Sequence, residues 1–190
     1  MELVFATHNK NKLIEIKALL PHYIKLLSLD DIDCNEEIPE TADTIEGNAI
    51  LKAEHVRHRY GYDCFADDTG LEVEALNGEP GVLSARYAGD EKNDDSNVTK
   101  LLKNLECKEN RNAQFKTAIA LNLNDNQNLF TGICKGKIIK EKRGDQGFGY
   151  DPIFVPEGFK ETFAEMNLSK KSEISHRGIA FKELIAYLSK

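Results

Sequence analysis

The fold class is best indicated by residues 115–139, which read FKTAIALNLNDNQNLFTGICKGKII. Apolar side chains recur at every second position from Phe115 to Leu123, a polar segment follows at 124–127, and another apolar run extends from Leu129 to Ile139. A period of two is typical of a strand with one buried face, and a short polar segment between two such runs indicates an antiparallel hairpin. The sequence therefore predicts a long hairpin here.

Helical patterns lie on both sides of this hairpin in the sequence. The opening residues predict a buried strand at 2–6, a polar turn and a helix at 11–20 that Pro21 ends. Further predictions are a strand at 24–29, a helix from a capping box at Asp43 to Tyr60, a short strand at 64–66, a helix at 97–107 and a final helix after Ser175. Because helices and strands intermix, the sequence favours the α/β class.

Composition limits the kinds of protein that this chain can be. With 190 residues, 41% of them hydrophobic and 30% charged, we expect a single globular domain over residues 1–190. A net charge of −7 argues against a nucleic-acid partner, since that affinity comes from Lys and Arg. Apolar runs are short and the first residues do not resemble a signal peptide, so we expect a cytoplasmic protein without a membrane partner.

The cysteine and histidine spacings do not indicate a metal site. The four cysteines are far apart and form no C-x-x-C pair, so we interpret them as free thiols. His55 and His58 lie three residues apart within a predicted helix, and we interpret them as part of its solvated face.

The loop between the first predicted strand and helix reads Thr7-His8-Asn9-Lys10-Asn11-Lys12. Free backbone N–H groups, the positive helix end and two ammonium groups would suit a triphosphate there. The same residues also fit an ordinary turn in which Thr or Asn caps a surface helix. The chain contains neither a G-x-x-x-x-G-K-[ST] motif nor G-x-G-x-x-G spacing, so phosphate binding would need another scaffold.

Three further segments carry groups that can contact a nucleotide or a metal. Asp67 and Asp68 stand before Gly70, and adjacent carboxylates at such a place suit Mg²⁺. The run Asp-Asp-Thr-Gly also consists of turn-forming residues and predicts a turn. The segment 148–152, FGYDP, places two aromatic rings beside a carboxylate, which suits either stacking on a base or a hydrophobic plug. The segment 175–177, SHR, adds positive charge at a helix start, which favours an anionic ligand or a salt-bridged patch.

Taken in order, these segments resemble the inosine triphosphate pyrophosphatase family along nearly the whole chain. The matching strings are Thr7-x-Asn9-x-x-Lys12, Glu40 with Asn48-Ala49-x-x-Lys52, Asp67-Asp68-Thr69-Gly70-Leu71, Pro80-Gly81 with Ser84-Ala85-Arg86-Tyr87, Phe148-Gly149-Tyr150-Asp151-Pro152 and Ser175-His176-Arg177. Six such strings in sequence order do not arise from turn chemistry alone.

The resemblance implies an elongated, two-lobed α/β fold, with a long mixed β-sheet flanked by helices and a nucleotide cleft between the lobes, usually assembled as a homodimer. It also implies Mg²⁺-dependent hydrolysis of deaminated purine nucleoside triphosphates (ITP, dITP and XTP) to the monophosphate and pyrophosphate, which cleanses the nucleotide pool. The alternative is a non-catalytic nucleotide-sensing or RNA-binding module that uses the same loop and aromatic residues. The carboxylates Glu40, Asp67 and Asp68 disfavour that alternative.

The resemblance also assigns roles by matching position. It makes Asp68 the general base and, together with Glu40, a ligand of Mg²⁺. The residues that it implies at the substrate are Thr7, His8, Asn9, Lys10, Asn11, Lys12 and Lys52 for the phosphates, Thr69 beside the base residue Asp68, and Phe148, Gly149, Tyr150, Asp151, Lys171, His176 and Arg177 for the purine and sugar. One departure is that Lys170 and Ser172 flank Lys171, where relatives often have an acidic residue and an asparagine.

Overall fold

The computed structural model describes residues 1–17 and 19–189 of the protein. Its strands are β1 (Glu2–Phe5), β2 (Lys25–Leu27), β3 (Cys64–Val73), β4 (Pro80–Gly81), β5 (Asn112–Leu123), β6 (Asn126–Ile138) and β7 (Phe154–Pro156). Its α-helices are α1 (Lys10–Lys17), α2 (Ile45–Tyr60), α3 (Asp94–Asn104), α4 (Leu168–Ile174) and α5 (His176–Leu188). Within the described part of the chain, no helix is long and apolar enough to cross a membrane.

The strands form one mixed β-sheet. They pair in the order β2-β1-β3-β5-β6-β7, and β4 pairs with β3. Strand β1 runs parallel to both β2 and β3, with Val4 opposite Leu27 on one side and Cys64 on the other. Strand β4 is antiparallel to β3, and β7 is antiparallel to β6. The predicted α/β class with a mixed sheet is therefore confirmed.

The chain folds into two compact units, each made of separate stretches of sequence. Unit 1 comprises Met1–Asp68, Thr117–Gly132 and Gly178–Lys190, and unit 2 comprises Thr69–Lys116 and Ile133–Arg177. Strands β3, β5 and β6 each contribute residues to both units, because the unit boundaries fall inside them. The proposal of a single domain over residues 1–190 stays a prediction.

Each unit has its own hydrophobic core, centred on phenylalanine rings. In unit 1, Phe5 stacks on Phe65 with centroids 4.7 Å apart, and Phe181 meets Phe65 edge-on at 5.6 Å. In unit 2, Phe154 and Phe163 lie 5.1 Å apart within a cluster that Val98 and Leu101 of α3 and the following Leu105 complete. Aromatic contacts of this kind add to the stabilisation that apolar burial provides.

The predicted hairpin is present as β5 and β6, but its turn is shorter than expected. Only Asn124 and Asp125 lie between the strands, both with positive φ, at 49° and 62°. Asn and Asp tolerate this left-handed conformation better than most residues, which is why a two-residue connection forms here. Asn126 and Gln127, which we had placed in the turn, belong to β6.

The predicted turn at residues 67–70 is wrong, because these residues continue β3. That strand runs without a break from Cys64 to Val73, and both Asp67 and Asp68 are buried in it. Turn-forming residue types indicate a turn only where their polar side chains reach solvent. Here lysines from other elements pair with the two aspartates, so the strand continues.

The helices begin and end close to the predicted positions, with three differences. Helix α1 ends at Lys17, and Ala18 of the predicted 11–20 helix lies outside the described residues. Helix α2 is capped by Thr44, whose Oγ1 accepts from the Gly47 N–H at 3.0 Å, and the expected capping box at Asp43 is not used. Helix α4 was not predicted; it precedes α5, and Ser175 separates the two.

Candidate active site

The loop between β1 and α1 is held by its own polar side chains. Asn9 Oδ1 accepts hydrogen bonds from the backbone N–H groups of Asn11 at 2.9 Å and Lys12 at 3.3 Å, as an N-cap does. Thr7 Oγ1 accepts from the Asn9 N–H at 3.2 Å. Two of the N–H groups that we expected to be available for phosphate are thus bonded to Asn9. His8, Asn9, Lys10 and Asn11 are exposed.

Lys12 points from α1 towards β3 and forms an ion pair with Asp67. Its Nζ lies 2.9 Å from Asp67 Oδ1, and the Asp67 side chain is completely buried. A buried carboxylate is costly unless it is paired, so this lysine allows Asp67 to lie inside the sheet.

Lys52 occupies the buried face of α2, one turn after Asn48 and one turn before Val56. Its Nζ lies 2.5 Å from Glu40 Oε1 and 3.3 Å from Asp68 Oδ1. The Glu40 segment is held in turn by Asn48, whose Oδ1 accepts from the Ala42 N–H at 2.9 Å. Two carboxylates from a loop and a strand therefore converge on a single ammonium group.

These five side chains, Lys12, Glu40, Lys52, Asp67 and Asp68, form what we call the carboxylate–lysine cluster. Three carboxylates against two ammonium groups leave a net charge of −1 in a largely buried place. Burial raises the pKa of Asp68, and the positive charges of Lys52 and Lys12 offset only part of that rise. Burial acts to lower the pKa of Lys52, but the charges of Asp68 and Glu40 outweigh it and raise the pKa.

The carboxylate–lysine cluster suits a hard divalent cation. Lys52 Nζ is hydrogen-bonded to both Glu40 Oε1 and Asp68 Oδ1. The distance between these two carboxylate oxygens is therefore at most the sum of the two hydrogen-bond lengths. Carboxylate oxygens are the ligands that Mg²⁺ prefers, and it typically uses one or two of them together with substrate phosphates. The net negative charge of these five side chains also favours a cation.

A second group of site residues lies in unit 2, around Asp151. Asp151 Oδ2 accepts from Lys171 Nζ at 2.8 Å and from the Phe148 N–H at 2.9 Å, and both charged side chains are almost fully buried. Asp151 thus fixes the Phe148 loop to α4. A lysine buried at this position depends on its carboxylate partner.

Two cations lie near the ring of Phe148. Lys171 Nζ is 5.3 Å and Arg177 Cζ 5.5 Å from its centroid, which is cation–π distance. Arg177 also reaches Thr69 Oγ1 with Nη2 at 3.4 Å, a long contact. We call Phe148, Asp151, Lys171 and Arg177 the phenylalanine cluster.

Three other predicted residues have mainly structural contacts here. Tyr150 is buried in the core of unit 2 and donates its hydroxyl to the Ser84 carbonyl at 2.9 Å. The ring of His176 stacks on Phe115 with centroids 4.5 Å apart. Gly149 has φ of 61°, which favours glycine, and its N–H donates to Asp94 Oδ2 at 2.7 Å.

The sequence reasoning missed Asp94. Its carboxylate holds the backbone next to Phe148, although it stands 55 residues earlier in the chain. In the sequence it belongs to the polar run Asn93-Asp94-Asp95-Ser96, which signals only a helix start.

The structure brings the predicted residues together in two groups. In unit 1, Lys12, Glu40, Lys52 and Asp68 meet around ion pairs, and Thr7, His8, Asn9, Lys10 and Asn11 form the loop that precedes Lys12. In unit 2, Phe148, Asp151, Lys171, Arg177 and Thr69 are linked by the contacts above.

Known proteins match this chain over nearly its whole length. Residues 3–187 match the model of the Ham1 family. A protein of Christiangramia forsetii named "dITP/XTP pyrophosphatase" is 67% identical over 100% of both chains, and one of Flavobacterium psychrophilum with the same name is 65% identical over 98% of both.

Solved structures agree with the sequence matches. The Ham1 protein of Staphylococcus aureus has a TM-score of 0.91 and a HAM1 protein of Coxiella burnetii one of 0.92, each 39% identical, with 100% of this chain and 98% of theirs covered. The chain belongs to the Ham1 family. It is an enzyme, a hydrolase that acts on acid anhydrides, and not the non-catalytic module that we held as the alternative.

Proposed function

We propose that this enzyme hydrolyses deaminated purine nucleoside triphosphates (ITP, dITP and XTP) to the nucleoside monophosphate and pyrophosphate. The observation that carries the proposal is the buried meeting of Glu40, Lys52 and Asp68 in a chain 67% identical to a protein named "dITP/XTP pyrophosphatase". Such an arrangement supports a reaction in which negative charge is neutralised and a water molecule loses a proton.

Glu40 and Asp68 are the carboxylates that would hold a Mg²⁺ ion. When bound, Mg²⁺ offsets the charge of the phosphates and helps to orient them. Lys12 and Lys52 add positive charge for the triphosphate. Thr7 and Asn9 lie in the loop before α1, and Lys10 and Asn11 begin the helix, where phosphate oxygens can reach the Lys10 ammonium. His8 lies in the same loop.

Asp68 acts as the general base. It takes a proton from water while the water oxygen forms a bond to the α-phosphorus, and the bond from that phosphorus to the bridging oxygen breaks. Pyrophosphate then leaves with the bonding electrons, so no covalent enzyme intermediate forms. In the metal-free protein, burial raises the pKa of Asp68, which makes its carboxylate a better proton acceptor than an exposed aspartate.

The phenylalanine cluster recognises the base. Phe148 offers a ring face for stacking, and Arg177 offers donors to the oxygen at position six of hypoxanthine or xanthine, with Thr69, Asp151, Lys171 and His176 around it. Adenine carries an amino group at that position, so donor would face donor. A mispaired buried contact of this kind discriminates by up to roughly 10⁴-fold. Tyr150 and Gly149 shape this loop.

The family resemblance further leads us to propose a homodimer that works in the cytoplasm, where the nucleotide pool lies. Light scattering on the purified protein measures the mass directly. A value near that of one chain, 21.4 kDa, contradicts the dimer.

The reaction is tested by incubating the protein with ITP, dITP, XTP, GTP and ATP and separating the products by anion exchange. We expect IMP and pyrophosphate from ITP, no turnover after chelation of divalent metal, and little turnover of ATP. IDP and orthophosphate as first products contradict the reaction. Equal kcat/KM for ATP and ITP contradicts the base recognition.

Arg177→Ala tests the same recognition at a single side chain. We expect the ratio of kcat/KM for ITP over ATP to fall, because the donor to the oxygen at position six is removed. Arg143→Ala is the matched control, since Arg143 is half exposed and pairs with Glu165. An unchanged ratio in Arg177→Ala removes this residue from base recognition.

A further inference from the structure

Unit 1 contains another group of metal-binding side chains, made of different residues from the carboxylate–lysine cluster. Cys34 and Glu36 lie in the acidic segment before Glu40, and His55 lies on α2. One ligand atom from each, the Cys34 sulfur, a Glu36 carboxylate oxygen and a His55 ring nitrogen, lies within 4.8 Å of the other two. Cys34 is fully buried, and the side chains of Glu36 and His55 are 33% and 20% exposed. His55 is therefore not the solvated residue that the sequence suggested.

The Glu36 carboxylate is already held in place by hydrogen bonds. Tyr60 donates its hydroxyl to both oxygens at 2.8 Å, and the His55 Nε2 lies 3.0 Å from Oε1. Arg59 Nε lies 3.2 Å from the same oxygen, but its side chain is 66% exposed. These hydrogen bonds hold the Glu36 carboxylate in a fixed position beside His55.

The ligand types and their spacing match one class of metal. Zn²⁺ binds cysteine sulfur, histidine nitrogen and carboxylate oxygen in a tetrahedron with bonds of about 2.0–2.3 Å, which puts neighbouring ligand atoms roughly 3.2–3.8 Å apart. His55 and Glu36 are 3.0 Å apart, slightly closer than that, and no pair of the three ligand atoms is more than 4.8 Å apart, so small side-chain shifts bring them to these distances. Mg²⁺ prefers oxygen ligands alone and does not suit a thiol.

We propose that Cys34, Glu36 and His55 form a Zn²⁺ site with three protein ligands and one open position. Binding releases the thiol proton of Cys34 to solvent, because the thiolate is the ligand. The proton that His55 Nε2 donates to Glu36 is also given up, by exchange through solvent, so that the ring binds the metal as the Nδ1–H tautomer. Arg59 leaves Glu36 for solvent, as its exposure permits, and Tyr60 keeps one hydrogen bond to the carboxylate oxygen that does not bind the metal.

The site also has a place in the architecture of unit 1. The backbone carbonyl of Glu36 lies 3.0 Å from His8 Nε2, in the loop before α1. Through His55 the metal ties the segment of Cys34 and Glu36 to α2, the helix that carries Lys52. Bound metal therefore stabilises the folded state, since it binds the assembled ligands more tightly than the same residues in the unfolded chain.

Cobalt is the probe, because Co²⁺ replaces Zn²⁺ in such sites and a thiolate ligand gives sulfur-to-cobalt charge-transfer absorption. Metal-free full-length protein is titrated with Co²⁺ in excess Mg²⁺, which occupies carboxylate sites without sulfur. We expect one equivalent to produce the charge-transfer band, Zn²⁺ to displace it, and Zn²⁺ to raise Tm. Cys34→Ser abolishes the band. His55→Ala removes a ligand and weakens Co²⁺ binding by at least roughly 10–100-fold, because the loss of a hydrogen-bond partner of a metal ligand already causes an effect of that size.

Matched controls use residues of the same type outside the cluster. Cys107→Ser removes an exposed thiol and His58→Ala an exposed ring of the same helix, and both keep the band. If Cys34→Ser does not fold, Glu36→Gln keeps the side-chain shape and takes its place. A wild-type protein without the band, or a band that survives Cys34→Ser or Glu36→Gln, overturns the proposal.

Discussion

The two clusters of site residues carry opposite net charge. The carboxylate–lysine cluster has three acids and two lysines, a net of −1, and contains no aromatic ring. The phenylalanine cluster has Asp151 against Lys171 and Arg177, a net of +1, with both cations over one ring. The first composition suits a metal ion and proton transfer, and the second suits a flat, acceptor-rich base edge. From this difference we expect turnover and substrate choice to depend on different side chains.

The largest expected effect comes from Asp68→Asn, which changes the carboxylate–lysine cluster and leaves the phenylalanine cluster intact. Removing the proton acceptor should lower kcat by roughly 10²–10⁴-fold, with a much smaller change in KM. Folding should be little affected, because asparagine keeps the shape and Lys52 keeps Glu40 as its partner. Steady-state kinetics and thermal unfolding measure both. Glu74→Gln, at an exposed acid, is the control, and near-native kcat in a folded Asp68→Asn protein excludes Asp68 as the base.

A smaller effect, mainly on KM and not on kcat, is expected from Phe148→Ala. Stacking of a base on an aromatic ring contributes about 1–3 kcal/mol, so KM should rise roughly 5- to 150-fold while kcat changes less. Phe159→Ala is the matched control, since Lys170 lies over its ring at 5.5 Å just as Lys171 lies over Phe148. A loss confined to kcat would place Phe148 with the chemistry and remove the division between the clusters.

Asp94→Asn changes a residue that does not belong to the phenylalanine cluster but holds the loop of Phe148. The substitution weakens the hydrogen bond to the Gly149 N–H, and a bond of this type contributes about 0.5–1.5 kcal/mol, so KM should rise roughly 2- to 12-fold. The control is the neighbouring Asp95→Asn, because Asp95 is exposed and pairs with Lys142. If the two variants have the same KM, Asp94 does not position the loop.

The smallest effect is expected from thiol modification. Burial raises the pKa of Cys64 to about 12 and that of Cys134 to about 11, so almost no reactive thiolate forms at pH 8. Only Cys107 is exposed, and it belongs to neither cluster. A disulfide reagent should therefore label one thiol quickly and leave kcat/KM unchanged. Fast labelling of several thiols, or loss of activity with the first, contradicts this expectation.

Local sequence patterns predicted the elements well where a pattern is repeated over many residues. The hairpin of β5 and β6 shows alternation from Phe115 to Leu123 and a second apolar run from Leu129 to Ile139, and the opening strand, turn and helix follow one another directly. Helix α4 was missed because it has only seven residues and little apolar periodicity. Short elements of this kind form through contacts with distant parts of the chain, which a local pattern does not contain.

The residues of the candidate site were found from family motifs, but their surroundings were not. The burial of Lys171 depends on Asp151, twenty residues earlier, and the burial of Asp67 depends on Lys12, on another element. Because a local sequence pattern does not show such partners, it predicted a turn at Asp67 and Asp68 and a solvated position for His55. A charged side chain can be buried when a partner is present, and the partner is a property of the fold.

The division of the two units along the chain has a consequence for how a gene of this kind can change. Unit 1 is assembled from three separate stretches and unit 2 from two, so the polypeptide crosses the boundary four times. No contiguous piece of the coding sequence specifies either unit. A single crossover can therefore neither exchange one unit between relatives nor duplicate it alone. Each cluster, however, lies within one continuous stretch, the carboxylate–lysine cluster at 12–68 and the phenylalanine cluster at 148–177. A crossover between residues 69 and 147 passes on one cluster without the other, so the two clusters can be inherited from different parents.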